Sequence, residues 1–343
     1  RHKLLFLLIF LTFIIILTNR PNSTNDVRTC FLTNNIHDNG NAMLNDILID
    51  ERKPIIGKTI FFHETSCRQN KVVRITARQA CAVESAALHN PNMDVYVLFA
   101  ASISATNNSN MPLMDALLTY SNVYLRSVNL WTYSANTPIF DWLKSGKLFE
   151  SKYVLSHISD FLRYLTLWKW GGTYLDLDVI VKKSFENIKP NYAGAESSNY
   201  VAAGVINLDH TNFGHEIADL CLRDFQVNFD GNEWGTNGPG VITRVLQKIC
   251  KTKLPLLMTR KRCLGFKVFP LKSFYAVRWW NWKYFFEEKY LNETLKLTRS
   301  SIAVHAWNKN SNEGIIKVGS NVAYSILAQK HCPKVYKTSG EYF

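Results

Sequence analysis

The stretch Ser156–Val181, SHISDFLRYLTLWKWGGTYLDLDVIV, constrains this 343-residue chain more than any other. Leu162, Leu165 and Trp168, with Phe161 beside them, recur at helical spacing, so its first part reads as a helix with that face turned inward. Asp160 and Arg163 stand three apart and project from one side of it. Gly171-Gly172 ends the helix, because glycine enters the left-handed conformation of a helix C-terminus without steric penalty. Thr173–Val181 then reads as a strand, with Tyr174, Asp176, Asp178 and Ile180 on one face and Leu175, Leu177 and Val179 on the other. A bare Asp-x-Asp arises about once by chance in a chain of this size, so its setting carries the argument. Inside an apolar strand, unpaired carboxylates would be costly, which disfavours a solvated turn. The pair instead suits a hard divalent cation bound through oxygen, its shell completed by a diphosphate whose departure the cation would ease. Taken alone, Asp160 and Arg163 read as a surface ion pair.

The flanking pattern sets the fold class. Ile60-Phe61-Phe62 is a short apolar strand ending on His63-Glu64-Thr65-Ser66. A helix with Ala80, Val83, Ala86 and Ala87 on one face follows and stops before Pro91. Asp94–Ala100 has a buried-strand pattern, Leu113–Thr119 a short helix, and Val123–Val128 another strand. This alternation implies an α/β domain with a mainly parallel sheet flanked by helices. There is no internal repeat. No G-x-G-x-x-G turn follows the first strand, which argues against a dinucleotide cofactor, and no P-loop pattern appears, which disfavours an ATPase or kinase.

The N-terminus speaks to compartment. Arg1-His2-Lys3 precedes an apolar run, Leu4–Leu17, broken only by Thr12. The run is shorter than the ~20 residues that fill a bilayer core. No Ala-x-Ala-like site follows it, so residues 1–18 read as an uncleaved signal anchor, with a cleaved signal peptide as the alternative. The basic flank puts the remainder on the lumenal side. Residues 19–58, rich in Asn, Asp and Thr, read as a stem, and 59–343 as one catalytic domain. Sequons at Asn22, Asn107 and Asn292 would then be open to N-glycosylation. The seven cysteines, none in a Cys-x-x-Cys pair, imply a few disulfides and at least one unpaired thiol. The 40 Lys and Arg against 27 Asp and Glu leave a net charge of +13. That balance suits a phosphorylated substrate or a membrane surface, and no nucleic-acid motif claims it.

With these residues in place the chain resembles the Asp-x-Asp glycosyltransferases of family 32, most of all the animal α-1,4-galactosyltransferases. The likeness runs in order through Phe61–Ser66 (FFHETS), Cys81–Ala87 (CAVESAA), Asp115–Leu118 (DALL), Ser159–Asp178, Cys221–Phe225 (CLRDF), Trp234–Arg244 (WGTNGPGVITR), Ala303–Ser311 (AVHAWNKNS) and Cys332-Pro333. It implies a GT-A nucleotide-sugar-binding fold behind a type II Golgi anchor, with the catalytic domain in the lumen. It implies a UDP-sugar donor, a glycolipid or glycan acceptor such as lactosylceramide, and Mn²⁺, with Mg²⁺ as the alternative ion. Asp178 would be the main metal ligand, with Asp176 between the metal's water shell and the ribose or sugar hydroxyls. Asp160 and Arg163 match a Ser-Asp-x-x-Arg signature that grips the donor sugar. Glu64, Thr65, Tyr174, Gly238, Pro239, Trp307 and Asn308 would line the donor, and His305 would join the metal or diphosphate. Where the family carries an Asn-Gly pair, this chain has Ala203-Gly204.

The residues leave other points open. Gly235–Gly240 brings backbone near a ligand before the helix Val241–Ile249, or is a plain turn. Retention of configuration needs either front-face attack, taken as the default, or a carboxylate nucleophile; Glu196 and Asp209 lie in suitable segments. The aromatic run Phe274–Phe286 would serve core packing, with sugar stacking as the alternative. The donor sugar is galactose first, with N-acetylgalactosamine or N-acetylglucosamine behind it. The rival classes are a phosphatase of the haloacid dehalogenase type and a lumenal sugar-binding protein without turnover. The first fits poorly, because Ile180-Val181-Lys182 continues the strand where that pattern needs a flexible turn.

Overall fold

A computed structural model describes Val27, Cys30, Phe31 and residues 44–67, 73–101 and 111–343. The expected anchor (1–18), most of the expected stem, and the sequons at Asn22 and Asn107 lie outside the described residues. Among the described residues no helix is long and apolar enough to cross a membrane.

Among the described residues there are nine strands: β1 (Thr59–Glu64), β2 (Asp94–Phe99), β3 (Val123–Ser127), β4 (Gly172–Leu175), β5 (Val179–Val181), β6 (Tyr192–Ala195), β7 (Val201–Leu208), β8 (Lys267–Phe269) and β9 (Ala303–His305). Seven form one sheet in the order β3-β2-β1-β4-β7-β6-β8, while β5 and β9 pair separately. The expected mainly parallel sheet is in fact mixed. Strands β1 to β4 run parallel, β7 lies antiparallel to both β4 and β6, and β8 runs parallel to β6. The cause is local: β6 returns as β7 through a tight turn closed by Glu196 N–H donating to Tyr200 O at 2.9 Å. One reversed strand is thereby inserted between neighbours that share a direction.

The principal helices are α1 (Ala77–His89), α2 (Val154–Trp170), α3 (Asn212–Asn228), α4 (Pro239–Cys250), α5 (Asn308–Ser311), α6 (Ala323–His331) and α7 (Pro333–Thr338). α2 packs on β1 and on α3, and α4 on β7; α1 packs on β5, α6 and α7. From β1 the chain moves outward to β2 and β3, then returns to place β4 on the other side of β1. Right-handed crossovers therefore put α1 and α2 on opposite faces. That reversal leaves a crevice at the C-terminal ends of β1 and β4, the usual ligand position in such sheets.

The helix expected from the sequence is α2, closed at Gly171 and Gly172, whose φ values of 60° and 84° favour glycine. The strand expected over Thr173–Val181 is instead two strands in different sheets. The chain leaves the main sheet at Asp176, turns with Val179 N–H donating to Asp176 O at 3.0 Å, and resumes as β5. Turning at the aspartates spares their carboxylates a place in the apolar interior of a sheet.

One hydrophobic cluster runs from Phe31 to Tyr336. It includes Ile47, fully buried, whose N–H donates to Ser127 O at 3.0 Å. Residues 44–58, assigned to the stem, thus pack against the domain beside β3. The cysteines form Cys30–Cys67, Cys81–Cys332 and Cys250–Cys263, and Cys221 is a buried free thiol. Asn292 is exposed at the start of a helix, while Thr294 of the same sequon is buried with its hydroxyl donating to Tyr284 O at 2.9 Å.

Candidate active site

Several segments converge on the crevice and enclose a cavity of about 590 Å³. β1 delivers Glu64 and Thr65, α2 delivers Asp160 and Arg163, and β4 with the turn after it delivers Tyr174, Asp176 and Asp178. The chain after β6 contributes Glu196, the start of α4 contributes Pro239, and β9 with its following turn contributes His305, Trp307 and Asn308.

At the floor lies a buried network of charge. Arg163 Nη2 stands 2.9 Å from Asp160 Oδ1, and Nη1 stands 3.4 Å from Asp176 Oδ1 while donating to Ala203 O at 2.8 Å. Its guanidinium carbon lies 4.6 Å from the centre of the Tyr174 ring, whose hydroxyl donates to Asp176 Oδ1 at 2.7 Å. His305 Nε2 is 3.3 Å from Asp176 Oδ2 and 3.2 Å from Asp178 Oδ1. The second Asp178 oxygen accepts the Asn308 N–H at 2.7 Å. The side chains of Asp160 and Arg163 are only 7% and 8% exposed, so the surface-pair reading of these two residues is wrong. Helical spacing fixed their common side, but could not show that this side faces a cavity.

The charges tune one another. Burial pushes the Asp176 carboxyl up, but Arg163, His305 and Tyr174 outweigh it and hold it below the ordinary carboxylate range. Asp178 moves the other way: burial and the nearby Asp176 raise it, against the pull of His305. Burial also drives Asp160 up to about 7, with Arg163 opposing. For His305, burial favours the neutral ring, yet the two aspartates lift it above its usual value. Asp176 and Asp178 thus hold a proton on His305, the position that a divalent ion would take over once the ring is neutral.

The donor set fits one. Ligand atoms from Asp176, Asp178 and His305 lie within 4.8 Å of one another, two offering oxygen and one imidazole nitrogen. That set suits a divalent ion that accepts both donor types. Backbone geometry supports the cluster. A Cβ on Gly204 would stand 2.6 Å from Asp176 Oδ2 and 3.0 Å from His305 Cδ2, so only glycine lets β7 pass this close. Trp307 adopts a left-handed backbone (φ 59°), uncommon for so bulky a residue, which turns the chain as it leaves β9.

Some sequence candidates fall elsewhere. Gly238 does not line the cavity; it backs against Asp160, and its carbonyl accepts the Tyr164 hydroxyl at 2.6 Å. Asp209 follows β7, whose reversed course carries it to the far end of the sheet beside Gly57. Of the two carboxylates weighed as nucleophiles, only Glu196 lines the cavity, where burial raises its pKa against His305 and Arg278. Arg78 was missed. Buried on α1, it donates to the Asn308 side chain and to Ser311 Oγ, and stacks on Phe286 and Tyr324, fixing the turn that presents Asn308 to Asp178. Its partners lie more than 200 residues away along the chain, so no local pattern could reveal them.

Residues 76–195 match a family model described as a glycosyltransferase sugar-binding region containing a DXD motif. Residues 210–339 match the alpha 1,4-glycosyltransferase conserved region. The chain is 34% identical over 284 residues to lactosylceramide 4-alpha-galactosyltransferase of Rattus norvegicus, covering 82% of this chain and 76% of that one. Against the Homo sapiens protein of the same name it is 32% identical over 286 residues, covering 82% and 78%. Against alpha-1,4-N-acetylglucosaminyltransferase of Homo sapiens it is 29% identical over 301 residues, covering 85% and 82%.

Proposed function

Because the chain belongs to the DXD-containing alpha 1,4-glycosyltransferase family and is a hexosyltransferase, we propose that it moves galactose from UDP-galactose to a glycolipid. The product linkage is α-1,4, the configuration is retained, and the acceptor is a terminal sugar like that of lactosylceramide. The observation that carries this reading is the meeting of Asp176, Asp178 and His305 beside the Asp160–Arg163 pair on one cavity floor.

Asp178 and His305, with Asp176 alongside, would hold Mn²⁺ or, less suited to the imidazole, Mg²⁺. The ion when bound offsets the negative charge of the departing diphosphate. Arg163, fixed by Asp160, Tyr174 and the Ala203 carbonyl, contributes a positive charge that needs no reorganisation as the bond breaks. Asp160 accepts sugar hydroxyls and, with Arg163, orients the hexose. Glu64, Thr65, Trp307 and Asn308 line the remainder of the donor. In the front-face route the C1–O bond to phosphate breaks with its electron pair leaving on the diphosphate. The acceptor oxygen bonds C1 from the same side, and its proton passes to the departing phosphate oxygen. A Golgi membrane location, a type II topology with a lumenal domain, and glycans at Asn22, Asn107 and Asn292 belong to this same reading.

A second donor has a specific observation behind it, the similarity to an N-acetylglucosaminyltransferase. UDP-N-acetylgalactosamine stands with it, and a sugar-binding protein without turnover is the non-catalytic alternative. The test is a panel of the three UDP-sugars with lactosylceramide and Mn²⁺, run beside Asp178→Ala. Transfer is expected with UDP-galactose, and the variant should lose at least about 10³-fold in kcat. Preference for another donor would move the assignment to it, transfer from none would leave the sugar-binding reading, and an unimpaired variant would overturn the site.

A further inference from the structure

Beyond the charged floor, the cavity opens past two indoles that remain partly in water, Trp234 (38% exposed) and Trp279 (49% exposed). They differ in what covers them. The Lys309 ammonium sits 3.5 Å from the centre of the Trp234 ring and takes up one of its faces. Trp279 makes a T-shaped contact with Trp280 at 5.5 Å, and Trp280 does not line the cavity.

The segment that carries Trp279 is pinned to the site itself. His305 N–H donates to Phe274 O at 3.1 Å, Trp307 Nε1–H to Val277 O at 2.9 Å, and Arg278 Nη1 to Glu196 O at 2.8 Å. These bonds at Phe274, Val277 and Arg278 fix the backbone that leads into Trp279 beside His305 and Glu196. A rigid ring already in place binds a second surface with little loss of conformational freedom.

The geometry points to Trp279 as the stacking platform for the acceptor sugar, an inference that rests on the transferase reading above. The charged floor is matched to the phosphates and hydroxyls of the donor. An indole face is matched to the patch of C–H groups on one side of a pyranose. In a terminal β-galactoside that patch is formed at C3, C4 and C5, and the axial 4-hydroxyl points to the opposite side. Stacking therefore turns the hydroxyl that must react away from the ring and leaves it free to meet the donor carbon. The class of acceptor is a neutral galactoside.

The test is the dissociation constant of lactose, measured by calorimetry with UDP and Mn²⁺ present, for the wild type and three variants. Trp279→Ala should weaken lactose binding by roughly tenfold, while Trp279→Phe, which keeps a ring, should stay within about threefold. Trp280→Ala, beside the platform but outside the cavity, should bind as the wild type does. Undiminished binding by Trp279→Ala, an equal loss in Trp280→Ala, or a wild type that binds no lactose would each overturn the platform. A wild type that binds lactose but transfers no sugar to it would instead overturn the transferase reading and leave the platform standing.

Discussion

Glu84, wholly enclosed on α1, and Asp178, on the cavity floor, are both carboxylates withdrawn from water, yet their surroundings differ. Glu84 gives each oxygen to protein donors: the Tyr120 hydroxyl at 2.6 Å and the N–H groups of Lys334 at 2.9 Å and Val335 at 2.7 Å. Those amides open α7, so a buried acid supplies the cap and the favourable charge that the helix start lacks. Asp178 has one backbone N–H and shares His305 with Asp176, while the cavity lies in front of it. A carboxylate enclosed for structure uses its lone pairs within the protein. Asp178 is tied from behind and left open in front toward the cavity.

This contrast yields three expectations, from the largest effect to the smallest. Glu84→Ala strands two helix-start amides and a tyrosine hydroxyl, and should cost about 2–4 kcal/mol in denaturant unfolding. Its activity below the transition should stay close to that of the wild type. Loss of activity from a fully folded variant would show that the two regions are not separate.

Gly204→Ala should do the reverse. The added methyl presses on Asp176 and His305, so the Mn²⁺ concentration for half-maximal activity should rise by about tenfold or more. An unchanged metal requirement would remove Gly204 from the account of the site.

The smallest effect concerns His89 and His331, whose Nε2 and Nδ1 stand 2.9 Å apart where α1 and α6 meet. Burial lowers both, His331 to about 4, with His89, Lys182 and Lys330 adding to the latter. The unfolded ring takes its proton first. The stabilisation is therefore full above about pH 6.5 and is lost as pH falls toward 4. Between pH 7 and 6 the loss should stay below about 1 kcal/mol, since water screens a part-buried pair. His331→Gln should flatten that slope of melting temperature against pH, and an unaltered slope would place the sensitivity elsewhere.

The fold class was legible because its signals are local. The spacing of Leu162, Leu165 and Trp168 marked α2, Gly171-Gly172 marked its end, and the apolar run at Asp94 marked β2. The reversal of β7 was not legible, because a buried strand has the same apolar pattern in either direction. The break at Asp176 escaped for a related reason. Apolar residues on both sides of the aspartates read as one strand, and which sheet each half joins depends on β9, more than 120 residues later. At the site, Asp176 and Asp178 stood out by residue type and setting, whereas His305 entered through the family resemblance. Arg78 matters through what lies near it in space, which spacing along the chain does not encode.

The pairing of β5 with β9, and of Cys81 with Cys332 across a sequence separation of 251, has a consequence for the order of assembly. At a synthesis rate of about 5–20 residues per second, the Cys81 thiol waits on the order of 10–50 seconds for its partner to emerge. During that interval the two aspartates exist without their histidine, and α1 without the helix whose start Glu84 caps. Residues 303–343 therefore close both the candidate site and the layer behind it. A chain that stops short of them lacks the partner of Cys81 and the histidine beside Asp176 and Asp178 together.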